Sequence, residues 1–277
     1  MKIGVRVHDF GKSTPEILAK QAKEMGFDCV QLVLNKAIEG ETGEAGTLSI
    51  EKAEKIKQAF ENEGLEIAML GAYFNPVHSD INKTEKAILK FKEHLKYAKY
   101  FNTSLVGTET GSYNDDKWTW NEKNLTEEAF QKVLETVKDL CKTAEENGSY
   151  VAIEGAYGHC MTTPIRLRRL YDEVNSPNMK IIVDIYNYLS IDNHREHCGI
   201  FDLALKEFKD QIVLFHLKDY VVEDDKLKQV GLGQGMLNLP YILSQIKEKC
   251  PNAYCIFEGV KPEDMASSLE FVKKYLK

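Results

Sequence analysis

Apolar stretches of strand length alternate along this chain with longer amphipathic stretches of helix length. Residues 2–7, 28–33, 66–70 and 104–108 read as the first four strands. Tyr150-Val151-Ala152-Ile153, Lys180-Ile181-Ile182-Val183, Gln211-Ile212-Val213-Leu214-Phe215 and Tyr254-Cys255-Ile256-Phe257 read as the last four. These runs are continuously apolar, as expected of strands covered on both faces, rather than alternating as in a half-exposed sheet. Between them the period lengthens to that of a helix. Ser13-Thr14-Pro15-Glu16 opens the first helix with a capping hydroxyl and a first-turn proline, and Gly26 closes it. Further helices are predicted over 50–63, 83–100 and 126–147, after Thr163-Pro164, near 200–208 and 239–249, and from Pro262. Gly26, Gly64 and Gly148 each end a helix just before a strand, because glycine accepts the left-handed conformation that a short connection requires.

Eight strands alternating with eight helices imply a parallel sheet joined by right-handed crossovers. The α/β class follows, and eight units in 277 residues match a single-domain (β/α)8 barrel, the TIM barrel, which usually takes about 250. An open, doubly wound sheet is the alternative. Residues 1–277 are read as one domain, since no linker-like or low-complexity stretch divides them. The longer connections, 35–47, 72–82, 109–124 and 218–238, all follow strands, on the side where barrel enzymes build their active sites.

The last four strands end alike, on Glu154, Asp184, His216 and Glu258. Asp, Glu and His number 43 and 7 among 277 residues, so four such endings in succession exceed what composition delivers. Pointing into one mouth, three carboxylates and an imidazole form an oxygen-rich set suited to Mn²⁺ or Mg²⁺ and tolerant of Co²⁺ or Zn²⁺.

Composition narrows the partners. A net charge of −7 repels a phosphate backbone, which argues against nucleic acid. No run approaches the roughly 20 apolar residues of a membrane span, and Met1-Lys2-Ile3 enters a strand directly, so a cytoplasmic protein with no membrane partner is expected. Six scattered cysteines without a C-x-x-C pair argue for reduced thiols. The oligomeric state stays open, a homo-oligomer included.

With these residues in place, nearly the whole chain resembles the xylose isomerase-like TIM barrel family of sugar phosphate isomerases and epimerases. His216-Leu217-Lys218-Asp219 is similar to that family's H-x-K-D segment, and Gly231-Leu232-Gly233-Gln234-Gly235 to its glycine turn. The resemblance implies a metal held by Glu154, Asp184, His216 and Glu258, with Glu154 and Glu258 also acting as catalytic acid and base. One departure stands out. Where many members carry Asp-x-x-His, this chain has Asp184-Ile185-Tyr186-Asn187, and Asn187 can donate a hydrogen bond but cannot carry a proton. Such a subgroup also has a histidine five residues after the first glutamate, here His159. Lys218, Asn187, His159, His78, Glu109 and Trp118 are therefore the expected substrate-binding residues. His94, His194 and His197 are read as surface residues and the acidic stretch 39–44 as a solvated mobile loop that could act as a lid; no phosphate-binding glycine loop stands out, although the glycine turn and Lys218 could serve.

The activity expected is carbohydrate metabolism on a small-molecule sugar: a metal-dependent, manganese-type isomerase or epimerase working through an enediolate. Three rivals remain. A dehydratase of an inosose-type cyclic polyol needs the same parts. An apurinic-site endonuclease shares the barrel but calls for more histidines and a basic surface. A metal-free binding barrel would leave four strand-end ligands idle.

Overall fold

The computed structural model describes residues 1–277 and closes as an eight-stranded parallel barrel ringed by helices. Its strands are β1 (Ile3–Arg6), β2 (Cys29–Leu32), β3 (Glu66–Gly71), β4 (Leu105–Glu109), β5 (Tyr150–Glu154), β6 (Met179–Asp184), β7 (Ile212–Leu217) and β8 (Tyr254–Phe257). The outer helices are α1 (Pro15–Met25), α2 (Ile50–Asn62), α3 (Ile81–Tyr97), α4 (Glu127–Asn147), α5 (Pro164–Val174), α6 (His197–Phe208), α7 (Leu239–Lys249) and α8 (Pro262–Leu276). Neighbouring strands follow chain order around the ring, and β8 pairs with β1 to close it. The open-sheet alternative is thereby excluded.

Helix starts obey the expected cap chemistry. The hydroxyls of Thr14, Thr126 and Thr163 accept from the backbone N–H groups of Ile17, Ala129 and Arg166, and prolines occupy the first turns of α1 and α5. Gly26 and Gly148 close α1 and α4 at φ of 89° and 66°. Inside the barrel a small apolar set, including Met69, Leu105, Ile182, Leu214 and Ile256, fills the axis, while a much larger core lies between strands and helices. Gly107 on β4 is there for space: a Cβ on it would come within 2.5 Å of Met69 Sδ.

Three expectations change. The connection 218–238 is not irregular. It folds into an antiparallel hairpin, Asp219–Glu223 with Lys226–Val230, turned by Asp224 and Asp225 at φ of 50° and 52° as a type I′ turn requires. His94 and His194 are buried rather than on the surface: a ring N–H of His94 donates to the Lys90 carbonyl, and His194 Nδ1 lies 3.2 Å from the Tyr220 hydroxyl. The acidic stretch is tied down at Glu41, which pairs with Lys52 at 3.0 Å. No helix is long and apolar enough to cross a membrane.

Candidate metal centre and active site

Parallel strands in register bring their ends to one level. Glu109 on β4 pairs with Glu154 on β5, and Asp184 on β6 with His216 on β7, so these side chains emerge together at the carboxyl mouth of the barrel. Glu258 follows β8 by one residue and completes the group. Ligand atoms of Glu154, His216 and Glu258 lie within 4.8 Å of one another.

His216 is the pivot. Its Nδ1 stands 3.0 Å from an oxygen of Glu154 and 3.0 Å from one of Glu258, yet neither contact has hydrogen-bond direction. On the other edge of the ring, Nε2 lies 2.7 Å from Gln31 Oε1. An amide oxygen accepts only, so Nε2 carries a proton and Nδ1 is the edge turned toward the carboxylates, which favour a second proton there in the absence of an ion. Gln31 is aligned in turn by donating from Nε2 to the Tyr73 hydroxyl at 2.7 Å. A buried nitrogen without a hydrogen bond, facing two carboxylates, fits a divalent cation, and the oxygen-rich donor set suits Mn²⁺ or Mg²⁺ best.

Asp184 stands apart from the three. Its Oδ2 lies 2.8 Å from Lys218 Nζ, which also reaches Glu258 Oε1 at 2.7 Å and donates to Asn187 Oδ1 at 3.0 Å. The Asn187 amide donates to Glu154 Oε1 at 2.6 Å. Asn187 therefore holds a carboxylate with one end and a lysine with the other, a bridging task that suits an amide.

Charges this deep perturb one another strongly. Burial opposes ionisation of Glu258, but Lys218, His216 and Arg6 outweigh it and hold the carboxyl well below the usual range. Burial likewise disfavours charge on His216 and Lys218, yet the surrounding carboxylates prevail, raising the imidazole to about 9 and the ammonium above its ordinary value. Asp184 is pushed up to about 6 by burial against the pull of Lys218. Glu109 has no such cation beside it. Burial, then the charges of Glu154 and Glu258, push its carboxyl up to about 8.

A cavity of about 440 Å³ opens onto the cluster, lined by Glu109, Trp118, Glu154, His159 and Glu258 together with Arg6, His8, Lys36 and Tyr73. His159 is buried, stacks edge-on against Trp118 with ring centroids 5.5 Å apart, and lies 3.9 Å from Glu109 through an unpartnered Nδ1. Burial lowers its pKa to about 4, so the ring is neutral. His78 is not among the residues lining this cavity and instead lies 3.2 Å from Asp116. Trp120 is exposed. The glycine turn is also spoken for, since Asp219 accepts from the N–H groups of Tyr220, Gly233, Gly235 and Leu237 and leaves no anion cradle there.

Gln31, Tyr73 and Arg6 were not anticipated. Arg6 reaches Glu258 at 2.8 Å while Asp9 holds it at 2.7 Å. A signal existed: Arg6 ends β1 as Glu154 ends β5, and Gln31 is a lone polar residue inside the apolar run of β2.

Comparison with known proteins agrees with this architecture. The chain is 22% identical over 281 residues to an inosose dehydratase of Histophilus somni (strain 129Pt), covering 94% of this chain and 91% of that protein. Among solved structures, it superposes with a TM-score of 0.78 on a xylose isomerase-like TIM barrel protein from Mycobacterium smegmatis in complex with magnesium, at 17% identity over 99% of this chain and 96% of that one. A 3-keto-D-glucoside 4-epimerase from E. coli gives a TM-score of 0.75 at 17% identity, covering 99% of both chains. The family model for xylose isomerase-like TIM barrels matches residues 19–275, and the chain belongs to that family.

Proposed function

We propose that this protein is a divalent-metal-dependent isomerase or epimerase of a sugar or sugar phosphate, moving a proton at the carbon beside a carbonyl through an enediolate. The observation that carries this reading is the convergence of Glu154, His216 and Glu258, with Gln31 turning the free edge of the imidazole toward both carboxylates. Glu154, His216 and Glu258, with Asp184 beside them, would hold the ion. When bound, that ion supplies Lewis acidity that polarises the carbonyl and its neighbouring oxygen.

The chain's own groups divide the remaining work. Glu154 and Glu258 come from strands three apart in an eight-strand ring and so address a central substrate from different sides. One removes the carbon-bound proton and the other returns it. Lys218, a permanent cation between Asp184 and Glu258, stabilises negative charge developing on substrate oxygen. Asn187 keeps Glu154 and Lys218 in place.

A second reading, dehydration of a cyclic polyol ketone, starts from the same proton abstraction. It is favoured by the similarity to an inosose dehydratase and by Glu109, whose carboxyl keeps its proton at neutral pH and could deliver it to a departing hydroxyl.

The test is turnover in D₂O by Mn²⁺-loaded enzyme across ketoses, sugar phosphates and inososes. Solvent deuterium should enter at the carbon beside the carbonyl of an epimer or isomer on the first reading; on the second that carbon loses its proton as water leaves, so the product is unsaturated there and deuterium appears at that carbon only in recovered substrate. Glu154→Gln and Glu258→Gln should each abolish turnover. Turnover to an epimer or isomer without deuterium entry sinks the two-glutamate mechanism.

A further inference from the structure

Two connections beside the cavity are fastened to each other at a distance from the carboxylate cluster. His78 and Ser79, after β3, meet Asp116 and Asp115, after β4. Asp115 accepts from both the backbone N–H and the hydroxyl of Ser79, each at 2.8 Å. His78 Nδ1 accepts from the Asp80 N–H at 2.9 Å, so the proton sits on Nε2 and is donated to Asp116 at 3.2 Å. Lys83, near the start of α3, pairs with the same carboxylate at 2.8 Å. Underneath, the buried Asn75 amide donates to the carbonyls of Ser112 and Asp115 at 2.6 and 2.9 Å. On its other side the β4 connection is tied to the turn after β5, where Asn124 donates to the Gly158 carbonyl at 2.8 Å.

What this fastening holds is an unfavourable backbone. Asp115 opens and Trp118 closes a short 3-10 turn at φ of 53° and 51°, a left-handed conformation that a residue as bulky as tryptophan rarely adopts. Such strain persists only where the surroundings over-determine it, and it collects at functional sites. Here it aims one side chain. The Trp118 indole stands edge-on to His159, ring centroids 5.5 Å apart, and both rings line the cavity beside Glu109 and Glu154. An extended backbone at Trp118 would point the indole elsewhere and open that wall.

We infer that His78 and Asp115 are positioning residues. By fastening the β4 connection to the β3 connection they hold Trp118 in its left-handed turn, so the indole is a fixed wall of the cavity and not a lid. The wall limits how far a ligand extends from the carboxylates toward the β4 rim. What the cavity binds rests on the carbohydrate reading above; the fastening does not.

The chain has two tryptophans, so Trp120→Phe leaves Trp118 as the only indole, and its emission reads the wall without sugar or metal. In that full-length background, His78→Ala and Asp115→Ala should keep the parent's far-ultraviolet circular dichroism and a cooperative melt. They should nevertheless raise the acrylamide quenching constant of Trp118 about twofold or more and shift its emission to the red. Asp115→Asn keeps an acceptor for the Ser79 N–H and tolerates positive φ, so it should restore the parent's shielding. Quenching unchanged in both alanine variants, or an asparagine variant as exposed as the alanine one, overturns the proposal. Hydrogen exchange in the unaltered protein decides the matter if an alanine variant does not fold. The amides of Asp115 and Lys117, bonded to the Ser112 and Asn114 carbonyls at 3.1 Å, should exchange about tenfold or more slowly than in an unstructured chain. Exchange at the unstructured rate overturns the fixed wall. With any substrate turned over in the D₂O panel, the alanine variants should raise KM and leave kcat within about twofold, as loss of uniform binding requires. A fall in kcat at constant KM overturns the wall's role. If nothing in the panel is turned over, the carbohydrate reading fails, and emission and exchange still decide the fastening.

Discussion

The two ends of the barrel handle charge in opposite ways. At the amino end, hollows of about 680 and 730 Å³ open among Lys2, Asp28, Lys57, Glu61, Glu66 and Lys277 and around the strand starts, both larger than the cavity at the mouth. Their charges are paired across the surface, Lys2 with Glu66, Lys57 with Glu61 and Lys277 with Asp28, and most are well exposed. At the carboxyl end the charges are buried, shared among several partners and in places unmatched. Solvated pairs contribute little and demand no function. Buried ones cost several kcal/mol per ion to desolvate and persist where chemistry needs them. Size alone would choose the wrong end of this barrel.

The largest effect that sharpens the contrast should come from Lys218→Met. Removing a buried cation leaves Asp184 and Glu258 facing each other, a loss of roughly 3–5 kcal/mol in the metal-free protein. Chemical denaturation with and without Mn²⁺ checks it, with the metal restoring part of the loss. A variant as stable as the parent would make the mouth no different from the surface.

Next comes pH. In metal-free protein Glu109 at about 8 and His216 at about 9 both hold protons that the unfolded chain has released, so between pH 6.5 and 9 the folded state binds more protons than the unfolded one. Stability therefore falls as pH rises through this window, by at most about 1.4 kcal/mol per pH unit for each group. Melting curves from pH 6.5 to 9 should show the decline, and Glu109→Gln should flatten part of it. A flat parent profile contradicts the electrostatics of the mouth.

Gln31→Leu should act on the metal more than on the fold. Without the amide oxygen the imidazole loses its fixed tautomer, and Mn²⁺ affinity should drop about 10–100-fold, measured by titration. The smallest effect belongs to the other end: Lys277→Ala breaks an exposed pair with Asp28 and should cost no more than about 1 kcal/mol, with no change in metal affinity.

Much of this molecule was legible in one dimension. Continuous apolar strands, period-lengthened helices and their Thr, Pro and Gly punctuation depend on local backbone preferences and burial, so the barrel could be read from the chain, as could the strand-end positions of Glu154, Asp184, His216 and Glu258. The hairpin in the seventh connection was missed because its cue, Asp224-Asp225 turning at positive φ, is weaker than a glycine turn. Only the tertiary structure decided which polar groups meet. Gln31 and His216 are 185 positions apart yet touch because ring closure places β2 and β7 around one mouth. The placement of His78 outside the cavity lining and the capture of the glycine turn by Asp219 have the same origin. Strand periodicity fixes which way a side chain points, but the partner it finds there depends on how eight strands tilt and stagger when the sheet closes.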